Sequence, residues 1–247
     1  MPTVHFLGTG GAVTDAHRTT TMLAFTDADH TFVVDCGGDV VQRLQAAGIP
    51  LETVESLFIT HEHPDHVSGF ALFLEKIWLA GREAPIHLYG IRPALEQAHR
   101  VFMAFGMDEW DLPELIWHEV ACEENARVLD DEVWHITASP GVHSVPVVGL
   151  RVESKTTGGV VAYSCDTEPS GSIARMATDA NVLVHEANGE MRGHSSPEAA
   201  AAIAHEVGVD ELVLIHLPPN MGEARLAEAR ATFAETYLAT ELGTRSF

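Results

Sequence analysis

Between Thr60 and Gly69 the chain reads THEHPDHVSG, which places His61, Glu62, His63, Asp65 and His66 within six positions. The apolar run VESLFIT leads directly into this cluster. Three other apolar runs end in a similar way: VVAYSC reaches Asp166, NVLVHEA carries His185 and Glu186 near its end, and LVLIH reaches His216. Short apolar runs bounded by turn residues predict buried strands. Four of them therefore deliver polar, metal-competent side chains at their C-terminal ends, the edge where layered α/β proteins build their sites. This pattern predicts an α/β fold in which distant strand ends meet.

The rest of the chain supports that layout. HTFVVDCGG reads as a strand entering a turn, and DVVQRLQAAG as a short helix closed by Gly48. A helix is expected from Val67, another over Pro93 to Phe105, another from Pro197 and a last one near Glu223 to Ala239. Ser196 before Pro197 and Glu198 has the composition of an N-cap. In the last helix Leu226, Arg230, Phe233 and Tyr237 share one face, which is expected to pack on a sheet. Between Arg127 and Cys165 the pattern is of strands: VWHITAS, VVGLRVES and GGVVAYSC.

Composition excludes several classes. The 247 residues are 46% hydrophobic, ample for a sizeable core. No stretch approaches the roughly 20 apolar residues needed to cross a bilayer. MPTVHFLGTGG has no basic region before an apolar one, so no signal peptide is expected and the location is read as cytoplasmic. Cys36, Cys122 and Cys165 are too far apart for a zinc pattern or a disulfide framework and are expected as small residues near the core. The net charge of −22, with Lys76 and Lys155 the only lysines, disfavours polyanionic partners such as RNA at low salt. LGTGGAV lacks the lysine of a phosphate loop and the spacing of a dinucleotide fingerprint. The four tryptophans do not alternate with basic residues as in a nucleic-acid stacking platform.

The loop itself has the spacing H-x-H-x-D-H. Two alternate histidines can chelate one ion from the same side of an extended segment, and Asp65 and His66 can turn toward a second. Imidazole and carboxylate together suit Zn2+, and also Mn2+ or Fe2+. His5, His17, His30, His87, His99, His118, His135 and His205 fall in no such segment and are read as ordinary.

This loop resembles the signature of the metallo-β-lactamase superfamily, and the similarity continues in order along almost the whole chain. VVDCGG, GVHSVPVVGLRV and VAYSCDTEP resemble further segments of that family. VHEANGEMRGHSS and LVLIHLPP resemble its ribonuclease Z branch. The resemblance implies one domain over residues 1–247, a four-layer αββα sandwich. It implies two divalent metal ions, one held by His61, His63 and His143, the other by Asp65, His66 and His216, with Asp166 bridging them. Asp35 would orient the metal loop, His194 would assist the reaction held by Glu186, and Asp65 would act in the reaction as well as in binding. A metal-bridged hydroxide is the nucleophile the family implies, and a homodimer is its usual assembly.

The expected activity is hydrolysis of a phosphodiester, in a small or short substrate. Only twenty-two residues separate His143 from Asp166, against the long basic arm that ribonuclease Z enzymes commonly carry there. That interval and the charge argue against transfer-RNA 3′ processing, which stays as an alternative beside lactone or thioester hydrolysis. A metal-sensing or storage module is the non-enzymatic alternative, but storage favours closed coordination.

Overall fold

The structure, a computed structural model, describes residues 1–219 and 221–247. Its elements run β1 (Thr3–Gly8), β2 (Met22–Asp27), β3 (His30–Val34), α1 (Val40–Ala46), β4 (Val54–Ile59), α2 (Pro64–Val67), α3 (Phe70–Leu79), β5 (Ile86–Gly90), α4 (Arg92–Ala104) and β6 (Leu115–Glu119). The second half continues with β7 (Ala126–Asp130), β8 (Trp134–Pro140), β9 (Val148–Ser154), β10 (Val160–Tyr163), α5 (Gly171–Ala177), β11 (Val182–Glu186), α6 (Pro197–Val207), β12 (Glu211–Ile215), α7 (Glu223–Thr232), β13 (Thr236–Leu238) and β14 (Thr244–Ser246).

Two seven-stranded sheets form, in the orders β14-β1-β2-β3-β4-β5-β6 and β13-β12-β11-β10-β9-β8-β7. In both, antiparallel hairpins on one side give way to parallel strands, β3 to β6 in the first sheet and β10 to β13 in the second. Parallel neighbours need crossover connections, and α1, α3, α4, α5, α6 and α7 supply them. One hydrophobic cluster joins the facing sides of the two sheets and continues under α1, α3 and α4 through Leu44, Phe73, Leu74 and Ala98. A second packs α5, α6 and α7 on the outer side of the other sheet through Ile173, Ile203 and Leu226. The result is a four-layer αββα sandwich of the α/β class.

Local chemistry accounts for most element ends. Ser196 caps α6 by accepting from the Ala199 N–H, with Pro197 in the first turn, and Gly208 closes it at φ +73°. The helix expected from Val67 is instead two pieces, α2 and α3, broken at Ser68–Gly69. There the Gly69 N–H donates to the Cys36 carbonyl at 2.8 Å, so the backbone turns toward a neighbouring loop rather than continuing the helix.

The last helix is also shorter than its pattern suggested. It ends at Thr232, and Thr236–Leu238 forms an edge strand paired with Leu212–Leu214. Leu226 is buried on the sheet as expected. Tyr237 instead lies on the strand, beneath the guanidinium groups of Arg230 and Arg245. Its β-branched neighbour Thr236 and its own aromatic ring favour a strand, and pairing with β12 satisfies the backbone. Cys36 and Cys165 are buried as expected, whereas Cys122 is exposed, because it lies in the loop between β6 and β7. Among the described residues, no helix is long and apolar enough to cross a membrane.

Candidate metal centre

The C-terminal ends of β4, β10, β11 and β12 meet on one edge of the sandwich, and the loop after β8 reaches the same place. His61 and His63 follow β4, His143 follows β8, Asp166 follows β10, and His216 follows β12. Their side chains form two groups. Nε2 of His61 and Nε2 of His143 each lie 3.1 Å from Nδ1 of His63. Asp65, His66, Asp166 and His216 form the second group. Asp166 stands between the two, its Oδ2 3.3 Å from His216 Nε2, 3.6 Å from His66 Nε2 and 4.0 Å from His61 Nε2.

The opposite ring nitrogens fix the rotation and tautomer of several of these histidines, a familiar role of groups behind metal-binding imidazoles. Asp35 accepts from His66 Nδ1 at 2.8 Å and from the Thr60 backbone N–H at 2.9 Å, and Thr60 Oγ1 also donates to it. With its hydroxyl proton so committed, Thr60 accepts from His61 Nδ1 at 3.1 Å. Thr21 donates to the Gly10 carbonyl and accepts from His216 Nδ1 at 3.2 Å. The Gly193 carbonyl accepts from His143 Nδ1 at 2.7 Å. Four rings therefore turn Nε2 toward the common centre.

The centre is buried and polar, yet its innermost atoms lack partners. His66 Nε2, His216 Nε2 and Asp166 Oδ1 have no hydrogen bond among the described residues. Buried polar atoms are ordinarily satisfied, and those that are not call for a specific explanation. Here the orphaned atoms belong to residues gathered around one point, with imidazole and carboxylate chemistry. The donor set fits divalent metal ions.

Electrostatics follow from the crowding. Burial alone would raise Asp166, but the facing His216, His66 and His61 hold its carboxyl well below the usual range. Burial opposes charging of His66, and the carboxylates of Asp35 and Asp166 outweigh it, raising the ring well above its ordinary value. Burial pushes His216 down to about 4.

Beside this cluster, His194 Nδ1 donates to Glu186 Oε1 at 3.0 Å. Glu186 is fully buried and also accepts from the backbone N–H groups of Thr167, Asn188 and Ser195. Burial pushes the Glu186 carboxyl up to about 7, against donors that favour its ionised form. His194 packs edge-on to His143 and stacks on His216, with ring centroids 5.1 and 5.7 Å away. His185, by contrast, points into the protein and is fully buried.

His61, His63, Asp65, His66, His143, Asp166, His194 and His216 thus come together, whereas His185, His5, His17, His30, His87, His99, His118, His135 and His205 join none of the metal-competent groups among the described residues. Sequence reasoning missed Thr21, Thr60, Gly193 and Glu168. Glu168 accepts from the Gly193 N–H at 2.9 Å, which holds the carbonyl that orients His143. The only available signal for Gly193 was its residue type: it has φ +87°, and a Cβ there would come within 2.6 Å of His143 Nδ1.

Comparison with known proteins identifies the family and the fold. Residues 30–217 match the family described as the beta-lactamase superfamily domain. Ribonuclease Z from Mycobacterium sp. (strain KMS) is 30% identical, covering 96% of this chain and 91% of that protein. Ribonuclease Z from Methanothermobacter thermautotrophicus is 29% identical over 99% of this chain and 96% of its own. Among solved structures, human tRNase Z, short form, superposes with a TM-score of 0.82 at 24% identity, covering 99% of this chain and 98% of that one. The metallo-beta-lactamase fold protein YhfI from Bacillus subtilis gives the same TM-score at 22% identity, with 99% and 98% covered. The chain belongs to the metallo-β-lactamase superfamily of metal-dependent hydrolases, in its ribonuclease Z-like branch.

Proposed function

We propose that this protein is a phosphodiesterase with a binuclear metal centre, acting on a small or short substrate, and that residues 1–247 form one domain. His61, His63 and His143 would hold one ion, and Asp65, His66 and His216 the other. Asp166 would be shared. The observation that carries this reading is the position of Asp166 between two groups of candidate ligand atoms whose innermost members have no hydrogen-bond partner among the described residues. Zinc is the metal that the imidazole-rich set suits best, with manganese or iron as alternatives. Two such ions activate water near neutral pH and offset charge on the attacked phosphodiester.

The chain's own residues do the remainder. Asp35, Thr60, Thr21 and Gly193 hold four imidazoles in one orientation, so little rearrangement is needed when a substrate arrives. His194 has Nδ1 committed to Glu186, which leaves Nε2 as the atom to donate a proton to the leaving oxygen. Glu186 keeps that tautomer and stabilises the imidazolium.

Transfer-RNA 3′ processing is the second reading, favoured by relatives that carry the name Ribonuclease Z. Charge supports the first reading, since a surface of −22 resists a polyphosphate more than a monoanion.

The test combines metal content with a substrate panel. Protein purified without chelator should contain close to two metal equivalents per chain, and Asp166→Ala should lose most of them. The metal-loaded protein should hydrolyse bis(p-nitrophenyl) phosphate in preference to a lactone or a thioester. One equivalent retained by Asp166→Ala would overturn the shared-ligand assignment, and turnover of the lactone or thioester alone would overturn the phosphodiesterase.

A further inference from the structure

The chain has fourteen basic residues against thirty-six acidic ones, so a cation without a partner should be rare. Twelve of the fourteen are engaged. Arg18, Arg43, Lys76, Arg92, Arg100, Arg127, Lys155, Arg175 and Arg245 pair with carboxylates. Arg82, Arg151 and Arg230 donate to backbone carbonyls. Among the described residues, Arg192 and Arg225 alone make neither kind of contact.

Arg192 lies on the loop that borders the metal centre, and Arg225 approaches the same loop from α7. That loop runs from Asn188, whose side-chain oxygen stands beside Gly11 and the His216 ring, to Gly193, which packs on His143. Arg192 immediately precedes Gly193 and is exposed. Arg225, from the first turns of α7, extends toward Gly189 of the same loop, 3.9 Å from where a Cβ would stand. The loop's own Glu190 is exposed and pairs with neither. Glu198 feels the charge of Arg225 but forms no ion pair with it.

We propose that Arg192 and Arg225 form an anion subsite beside the metal centre. It would bind a second phosphate of the substrate, flanking the scissile phosphodiester. An unpaired guanidinium is the side chain best matched to a phosphate, through two parallel N–H donors. Long-range repulsion from the acidic surface disfavours polyanions in general, whereas two local cations at the rim reward one added phosphate. The favoured substrate is therefore a short nucleotide with two phosphates, not a long strand. This inference rests on the phosphodiesterase reading of the site.

The experiment measures binding and cleavage of uridylyl-uridine with and without an added phosphate at its 5′ or 3′ end, and of a uridine octanucleotide. Metal-loaded wild-type protein should bind and cleave one phosphorylated dinucleotide at least tenfold better than the plain one. Each arginine is expected to contribute roughly tenfold, as charged hydrogen bonds do. The double variant Arg192→Gln, Arg225→Gln should bring that ratio close to one, and Arg192→Lys should restore part of it. A merely structural role would lower activity on both dinucleotides together and leave the ratio unchanged, which would overturn the subsite. So would a preference seen only with the octanucleotide. If the wild type cleaves no dinucleotide, the phosphodiesterase reading fails. The binding ratio then decides the subsite separately: a tenfold preference lost in the double variant supports it, and no preference overturns it.

Discussion

His194 and His185 sit nine positions apart and illustrate how differently two buried or half-buried imidazoles can behave. His194 opens toward the metal centre and is tied to Glu186, so His194→Ala should keep its metal and its fold. Turnover of bis(p-nitrophenyl) phosphate should fall roughly 10²–10⁴-fold, the range for general acid–base groups. An unchanged kcat would return His194 to a structural role. His185 lies on the face of β11 that carries Leu183, donates Nδ1–H to the Glu186 carbonyl at 2.8 Å and leaves Nε2 without a partner among the described residues. Burial lowers it to about 4. The unfolded chain therefore takes up a proton between about pH 6.5 and 4 that the folded chain refuses. Stability present above pH 6.5 should fall across this window with a slope of up to about 1.4 kcal/mol per pH unit. Urea unfolding of chelator-treated wild type and His185→Gln, followed against pH, checks this. The variant should have the shallower slope, and equal slopes would assign the acid sensitivity to other groups. The candidate ligands could be singled out in the sequence because each belongs to a short segment with its own spacing. Thr21, Thr60 and Glu168 were not, since they act only through contacts with residues far along the chain. Nothing in the sequence announced that Asp35, Cys165 and His216 take φ of +63°, +53° and +55° at strand ends. Such backbone costs energy and concentrates at functional sites.

At the scale of elements, the turn after β3 and the loop after β4 behave as one piece. The Cys36 N–H donates to the His66 carbonyl at 2.8 Å, and the Gly69 N–H returns to the Cys36 carbonyl at the same distance. A Cβ on Gly37 would stand 1.6 Å from the Asp65 carbonyl oxygen, and on Gly69 2.1 Å from that of Gly38. Gly37→Ala must push the two loops apart and displace Asp65 and His66. It should lose metal and activity and cost about 1–3 kcal/mol, as overpacking generally does. Gly48→Ala is the control: φ is +73° but nothing lies within 4 Å of its added methyl. It should cost about 1–2 kcal/mol through the left-handed backbone alone and keep full metal content. Calorimetry and elemental analysis of both variants would distinguish these effects, and a metal-replete Gly37→Ala would show the loops are less tightly joined. This pairing of loops explains why the helix expected from Val67 breaks at Gly69: local periodicity favoured continuity, and a distant backbone overrode it. β13 was misread for a related reason. Its residues continue an apolar face at helical spacing, and the open edge of β12 together with the strand preference of Thr236 and Tyr237 makes them a strand.

Charge acts on the molecule as a whole. The surface carries a net −22, and most of its few cations are spent on internal partners, so an approaching polyphosphate meets repulsion over most directions. That repulsion extends about 30 Å near 0.01 M salt and about 3 Å at 1 M. A nuclease with a basic face behaves oppositely: it releases counterions from the nucleic acid on binding and loses affinity steeply as salt rises. For this protein, cleavage of a precursor transfer RNA should be weak at low salt and change little, or improve, as salt is added. Bis(p-nitrophenyl) phosphate presents one charge and should respond less. The two effects separate in the ratio of kcat/KM for the two substrates measured across that salt range, which should stay flat or rise in favour of the RNA. Efficient precursor cleavage at 0.01 M that declines steeply with salt would overturn the argument. It would mean that Arg192, Arg225 and their surroundings create a local field strong enough to outweigh the net charge, and it would move the preferred substrate from a short nucleotide to an RNA.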